Sequence, residues 1–284
     1  MLFLFCSAFD YGRLPISRLL DEYTMRFLLI LVAGLLTAPA FAIEWRDNSA
    51  IQQLFINAGV NGTFVLYDVN AKTLTGHNRT RAQTRYIPAS TFKIPNSLIG
   101  LSAGTVKSVD EILPYGGKPQ PFKQWENDMG LREAIKISNV PIYQELARRT
   151  GLQPMQEDLT RLQYGNGEIG TVVDRFWLDG PLQISAVEQT QFLAQLAQEK
   201  LPFPVKAQKD VKAITLLETN AQGELHGKTG WLTSTKPQVG WWVGWVEKQG
   251  RVYAFALNMD IRSETDLEKR VALGKAGLKA LVVM

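Results

Sequence analysis

Gly240-Trp241-Trp242-Val243-Gly244-Trp245-Val246 and Arg251-Val252-Tyr253-Ala254-Phe255-Ala256-Leu257-Asn258-Met259 are two β-branched and aromatic runs, and the turn sequence Lys248-Gln249-Gly250 lies between them. Runs of this composition on either side of a short glycine-containing turn read as a β-hairpin. Working outward, Glu224 to Thr229 and Gly62 to Tyr67 are further strand-like runs, and residues 73–77 are placed to pair with the latter. Helical spacing returns over 266–282, where a helix can cover the sheet. The middle of the chain, roughly 95 to 200, is dominated by helical patterns such as Leu131-Arg132-Glu133-Ala134-Ile135 and Ala186 to Ala197. The expected fold class is α/β of the α+β type. Residues 43–85 and 206–284 form an antiparallel sheet covered by terminal helices, and 86–205 form an inserted, mostly helical part.

The N-terminus carries a separate signal. Met25-Arg26 precedes the apolar run Phe27 to Leu36, which is followed by Thr37-Ala38-Pro39-Ala40-Phe41-Ala42. A short positive segment, an apolar segment and an A-x-A site in this order read as a secretion signal cut before Ile43. The apolar run is too short to span a bilayer. Residues 25–42 are thus the signal proper, 1–24 an upstream extension, and 43–284 one catalytic-sized domain of 242 residues, expected in the periplasm without a membrane anchor. Cys6 is the only cysteine, so the mature chain is expected to have no disulfide or thiol chemistry. The formal net charge of +4 is spread without a Lys/Arg cluster, which argues against a nucleic-acid face.

Ser90-Thr91-Phe92-Lys93 follows Pro88-Ala89 and precedes the apolar stretch Ile94 to Leu101. Ser90 therefore opens a helix, and Lys93 at i+3 shares its face. An S-x-x-K tetrapeptide alone reads more readily as a capping serine with a solvated lysine. Two further elements change that balance. Ser138-Asn139-Val140 ends a helical pattern just before Pro141, and Lys228-Thr229-Gly230 ends a strand. S-x-x-K, S-D-N and K-T-G in this order form the signature of serine enzymes that react with penicillins.

With these residues the chain resembles a class D serine β-lactamase, of the oxacillinase family. The likeness extends to Tyr164-Gly165-Asn166, Phe176-Trp177-Leu178, the Trp241 to Trp245 run and Asn258-Met259-Asp260, with Arg270 at the place of the expected downstream basic residue. The resemblance implies a β-lactamase and penicillin-binding transpeptidase-like fold and hydrolysis of β-lactam antibiotics, hence antibiotic resistance. It implies an acyl-enzyme on Ser90, and Lys93 carboxylated by carbon dioxide and held by the Trp177 indole as general base. Ser138 would relay a proton to the leaving nitrogen, and the backbone N–H groups of Ser90 and Trp231 would form the oxyanion hole. Lys228, Thr229, Gly230 and Arg270 would grip the substrate carboxylate, with Val140 as an apolar wall. No separate cofactor or metal is implied, and the expected assembly is a monomer or homodimer.

The residues themselves support a lysine base. The only histidines, His77 and His226, lie in no motif that orients a triad. A lysine amine ordinarily titrates near ~10.4, and making half of it neutral at pH 7 costs about 4–5 kcal/mol. Burial beside Phe92, Val140 and Trp177 is expected to supply part of that by desolvating the cation. Read without the resemblance, Trp177 is core, Tyr164-Gly165-Asn166 a turn, Arg270 a solvated helix residue and His226 a strand residue. A transpeptidase, or a β-lactam sensor that acylates without turnover, shares the three elements, and both ordinarily carry membrane segments or extra domains.

Overall fold

The computed structural model describes residues 43–221 and 223–284; the secretion signal, its upstream extension and Cys6 lie outside the described residues. Ile43–Met284 form one compact unit. Its centre is the hairpin read from sequence. Strand β6 (Gln238–Lys248) and strand β7 (Arg251–Ile261) pair antiparallel out to Lys248↔Arg251. That leaves Gln249-Gly250 as a two-residue loop, and both have positive φ (51° and 73°), as the right-handed twist of a hairpin demands of such a loop.

The strands β1 (Glu44–Asp47), β2 (Gly62–Asp68), β3 (Thr73–His77), β4 (Leu216–Asn220) and β5 (Gly223–Leu232) complete a seven-stranded sheet of order β1-β3-β2-β7-β6-β5-β4. Residues 73–77 pair antiparallel with β2, as their placement suggested. The sheet departs from a purely antiparallel expectation at one edge, where β1 runs parallel to β3.

Side-chain alternation along β6 divides the core. Trp241, Val243 and Trp245 enter one apolar cluster, whereas Trp242 and Val246 enter another on the opposite face. The second face is covered by helix α1 (Ser49–Ala58) and by the C-terminal helix, α9 below. Asn48 caps α1 by accepting from the Ile51 N–H at 3.0 Å.

The helices between are α2 (Arg79–Gln83), α3 (Lys93–Ser102), α4 (Leu131–Lys136), α5 (Val140–Thr150), α6 (Leu152–Leu162), α7 (Ala186–Ala197) and α8 (Val205–Thr215), followed by α9 (Asp266–Ala280). The helical part expected over 86–205 is crossed in both directions. Helix α7 packs on β2, β6 and β7, while α8 packs on α3 and α4. The reason is the sheet's two apolar faces: β6 and β7 are buried on both sides, so a helix from the insertion must cover the face that α1 and α9 leave open. No helix among the described residues is long and apolar enough to cross a membrane.

Candidate active site

Ser90 sits in a 3₁₀ turn, Ala89–Phe92, that runs directly into α3, whose first residue is Lys93. Ala89 has φ 49°, a left-handed conformation that a non-glycine residue adopts at a cost of about 1–3 kcal/mol and that clusters at functional sites. The turn is pinned by Thr91, whose hydroxyl donates to Pro88 O at 2.8 Å and accepts from Gln189 Nε2 at 2.9 Å. Strand β5 presses against it: a Cβ built on Gly230 would stand 2.9 Å from Pro88 O. Glycine at this position is what lets the strand bearing Lys228 and Thr229 approach the serine.

The i+3 spacing brings Lys93 Nζ within 2.9 Å of Ser90 Oγ. Lys93 is fully buried, with Phe92 stacked on Trp177 at 5.3 Å between centroids and the Tyr143 ring 5.2 Å from Nζ. Burial first, and the positive charge of Lys228 second, hold its amine well below the ordinary lysine range. The π-face of Tyr143 favours the cation and so opposes the effect of desolvation. The shift favours the neutral form of the amine, the form able to accept a proton.

Ser138 lies between α4 and α5 and also has positive φ, 58°. Asn139 fixes it there by capping α5, accepting from Ile142 N–H at 3.2 Å, while its amide donates to Trp125 O at 3.3 Å. Lys228 Nζ donates to Ser138 Oγ and to Thr229 O, both at 3.0 Å, so the second and third sequence elements meet. Burial, reinforced by Arg270, lowers the Lys228 amine to about 7. Arg270 enters from α9, donating through Nη1 to Gly230 O at 2.6 Å and through Nε to Leu267 O at 2.7 Å. It forms no ion pair among the described residues, and burial lowers it to about 10. Two cations without carboxylates flank one end of the site.

Trp177 is buried, and its Nε1–H has no hydrogen-bond partner among the described residues. An unpaired buried donor of this kind costs about 1–3 kcal/mol, which invites an acceptor. The loop that carries it is stapled by Tyr164-Gly165-Asn166. Asn166 donates to Pro181 O at 3.0 Å and accepts from Gln183 N–H at 3.0 Å, and a Cβ on Gly165, whose φ is 59°, would collide with Gln183 O. The Y-G-N turn therefore acts structurally.

Ser90, Ser138, Val140, Thr229, Gly230, Trp231 and Arg270 line one cleft of about 510 Å³, with Lys93, Trp177 and Lys228 buried behind its wall. Apart from Leu178, which ends the Phe176-Trp177-Leu178 stretch, the rest of the wall carries no sequence motif. It consists of Phe122 and Trp125, which pack edge to face at 4.8 Å, and of Leu178 with the Arg175–Asp179 ion pair. A half-exposed aromatic pair within 119–125 is the one signal that was available for them. His226 is elsewhere, stacked on Trp245.

This geometry has close parallels. The family described as Penicillin binding protein transpeptidase domain matches residues 62–278. The chain is 43% identical to Beta-lactamase OXA-5 of Pseudomonas aeruginosa over 253 residues, 88% of this chain and 94% of that protein. It is 41% identical to Beta-lactamase OXA-48 of Klebsiella pneumoniae over 251 residues, 88% and 95% of the two chains. The crystal structure of FUS-1 (OXA-85), a class D β-lactamase from Fusobacterium nucleatum subsp. polymorphum, superposes with a TM-score of 0.82 at 46% identity, covering 84% of this chain and all of that one. The chain belongs to the class D β-lactamases. In this class D chain the family resemblance read from short motifs thus extends over most of the sequence and the whole fold of the solved relative.

Proposed function

We propose that this protein hydrolyses the amide bond of β-lactam antibiotics through an acyl-enzyme on Ser90, and so confers resistance to them. The observation that carries this reading is the 2.9 Å approach of Ser90 Oγ to a fully buried lysine amine that burial holds well below the ordinary lysine range. As Ser90 Oγ bonds to the lactam carbonyl carbon, its proton passes to the Lys93 side chain. The oxyanion is held by the backbone N–H groups of Ser90 and Trp231, on two segments that Gly230 allows to pack together. The carbon–nitrogen bond breaks as the proton taken up by Lys93 is relayed through Ser138, which accepts from Lys228, to the leaving nitrogen, and Lys93 is free to act again. Water then adds to the ester, Lys93 accepts its proton and returns it to Ser90 Oγ, and Ser90 departs as the alcohol. Arg270, Lys228 and Thr229 hold the ring carboxylate, Val140 bounds the reacting centre, and Trp231 borders the opening.

Carboxylation of the neutral Lys93 amine by carbon dioxide, with loss of one proton, would supply an anionic general base at the same place. The unpartnered Trp177 Nε1–H fits this group, because it is a buried donor lacking an acceptor. Export to the periplasm, with cleavage before Ile43, is supported by the Ala40-Phe41-Ala42 site and tested by the intact mass of periplasmic protein. Retention of residues before Ala42 would refute it.

Turnover of a chromogenic cephalosporin, with mass spectrometry of the acylated protein, tests the main reading. Sustained hydrolysis and a penicillin adduct lost in Ser90→Ala are expected. A stoichiometric burst without turnover would instead make the protein a β-lactam sensor, and an unchanged adduct in Ser90→Ala would remove Ser90 from its role.

A further inference from the structure

A second cleft of about 570 Å³ adjoins the first. It lies between the β5–β6 turn, which supplies Lys236, and the turn from β7 into α9, which supplies Arg262 and Glu264. Trp231 borders both clefts, and its Nε1 donates to Gln238 Oε1 at 2.8 Å, so a tethered indole is the partition. Ile261, also in the second cleft, meets the Arg270 stem at Gly240: a Cβ there would stand 2.5 Å from Arg270 Cδ and 2.7 Å from Ile261 Cδ1. The second cleft therefore begins where the arginine assigned to the substrate carboxylate is seated. Most other surface cations are matched by carboxylates, as Lys206 is by Asp210 and Arg161 by Asp158. The exposed side chains of Lys236 and Arg262 make no hydrogen bond or ion pair among the described residues. With Glu264 opposing them, the cleft carries one net positive charge.

We propose that this cleft is a subsite for a negatively charged substituent on the carboxylate-bearing ring of a β-lactam substrate. The inference rests on the β-lactamase reading of the first cleft. In a cephalosporin the ring atom next to the carboxylate-bearing carbon carries a variable group, and with the carboxylate on Arg270 that group extends past Trp231. Lys236 and Arg262 then meet its negative end. Charges this exposed act through encounter and weak pairing rather than on the chemical step, so their effect falls on KM and is screened by salt.

The test uses two chromogenic cephalosporins that differ only at this position, one bearing a 4-carboxystyryl group and the other its methyl ester. The read-out is the ratio of kcat/KM for acid over ester. In the double variant Lys236→Gln/Arg262→Gln the ratio should fall about three- to tenfold through KM, with hydrolysis of the ester unchanged. Glu264→Gln should raise it, and 0.5 M sodium chloride should narrow it in the parent and not in the double variant. An equal ratio in parent and double variant, or equal slowing of both substrates, would overturn the subsite while leaving the β-lactamase reading intact. Failure of the parent to turn over either compound would overturn both.

Discussion

Arg270 is a cation that the fold buries without a carboxylate, and replacing it by methionine separates what it does for folding from what it does for substrate. Methionine keeps the apolar stem that occupies the space over Gly240 and removes the guanidinium. Lowering of the guanidinium from its ordinary value to about 10 corresponds to about 3 kcal/mol of unfavourable burial. The folded-state value lies below the unfolded one, so this cost is fully present below pH about 10 and disappears only as pH rises towards the ordinary arginine range. At pH 7 the substitution relieves all of it, offset by the loss of hydrogen bonds to Gly230 O and Leu267 O, about 1 kcal/mol each. Arg270→Met should therefore fold as stably as the parent or about 1 kcal/mol more so. Against a β-lactam carboxylate the same change removes a charge-assisted pair worth about 1.5–3 kcal/mol, a loss of roughly 10- to 150-fold in kcat/KM. Because Arg270 also depresses the Lys228 amine, that amine should titrate above 7 in the variant, moving any limb of the pH–rate profile that it sets to higher pH. The assays are urea denaturation at pH 7 and steady-state kinetics from pH 5 to 9. A variant that loses stability and activity together would make Arg270 a structural residue and refute the argument.

Two further outcomes follow from the buried groups behind the cleft. Trp177→Phe removes an unpaired donor, so its melting temperature should match the parent within a few degrees, while turnover at mildly acidic pH in degassed buffer should fall and recover with bicarbonate. No response to bicarbonate in either protein, and no carbamate signal from carbon-13 bicarbonate, would leave Lys93 an ordinary neutral amine. Lys228→Met should change the pH dependence of stability: a lysine at about 7 in the fold and 10.5 unfolded costs most below pH 7 and nothing above 10.5. The variant's stability relative to the parent should then drop by about 2 kcal/mol between pH 7 and 9, and a pH-independent difference in denaturation midpoints would contradict the burial of that amine.

The reach of sequence reading in this protein follows the distance over which each feature is determined. The hairpin was legible because Lys248-Gln249-Gly250 and the flanking aromatic runs settle it locally, and Ser90 and Lys93 meet because i+3 on one helical turn requires it. Strands β1 and β4 were not legible. Glu44-Trp45-Arg46-Asp47 is mostly exposed and charged, and Leu216-Leu217-Glu218 shows no alternation, since an edge strand with little burial leaves little pattern. The left-handed Ala89 and Ser138 were equally hidden, because neither is the glycine that would announce positive φ. The electrostatics is the least local property of all. Lys93 is lowered because Phe92, Tyr143 and Trp177 exclude water and because Lys228 adds a like charge, and Lys228 is in turn lowered by burial and by Arg270. Those three basic side chains lie on α3, β5 and α9, so the lowered amine of Lys93 exists only once both ends of the chain have closed on the insertion. The sequence names each residue of that chain of charges; only the fold sets how strongly each holds its proton.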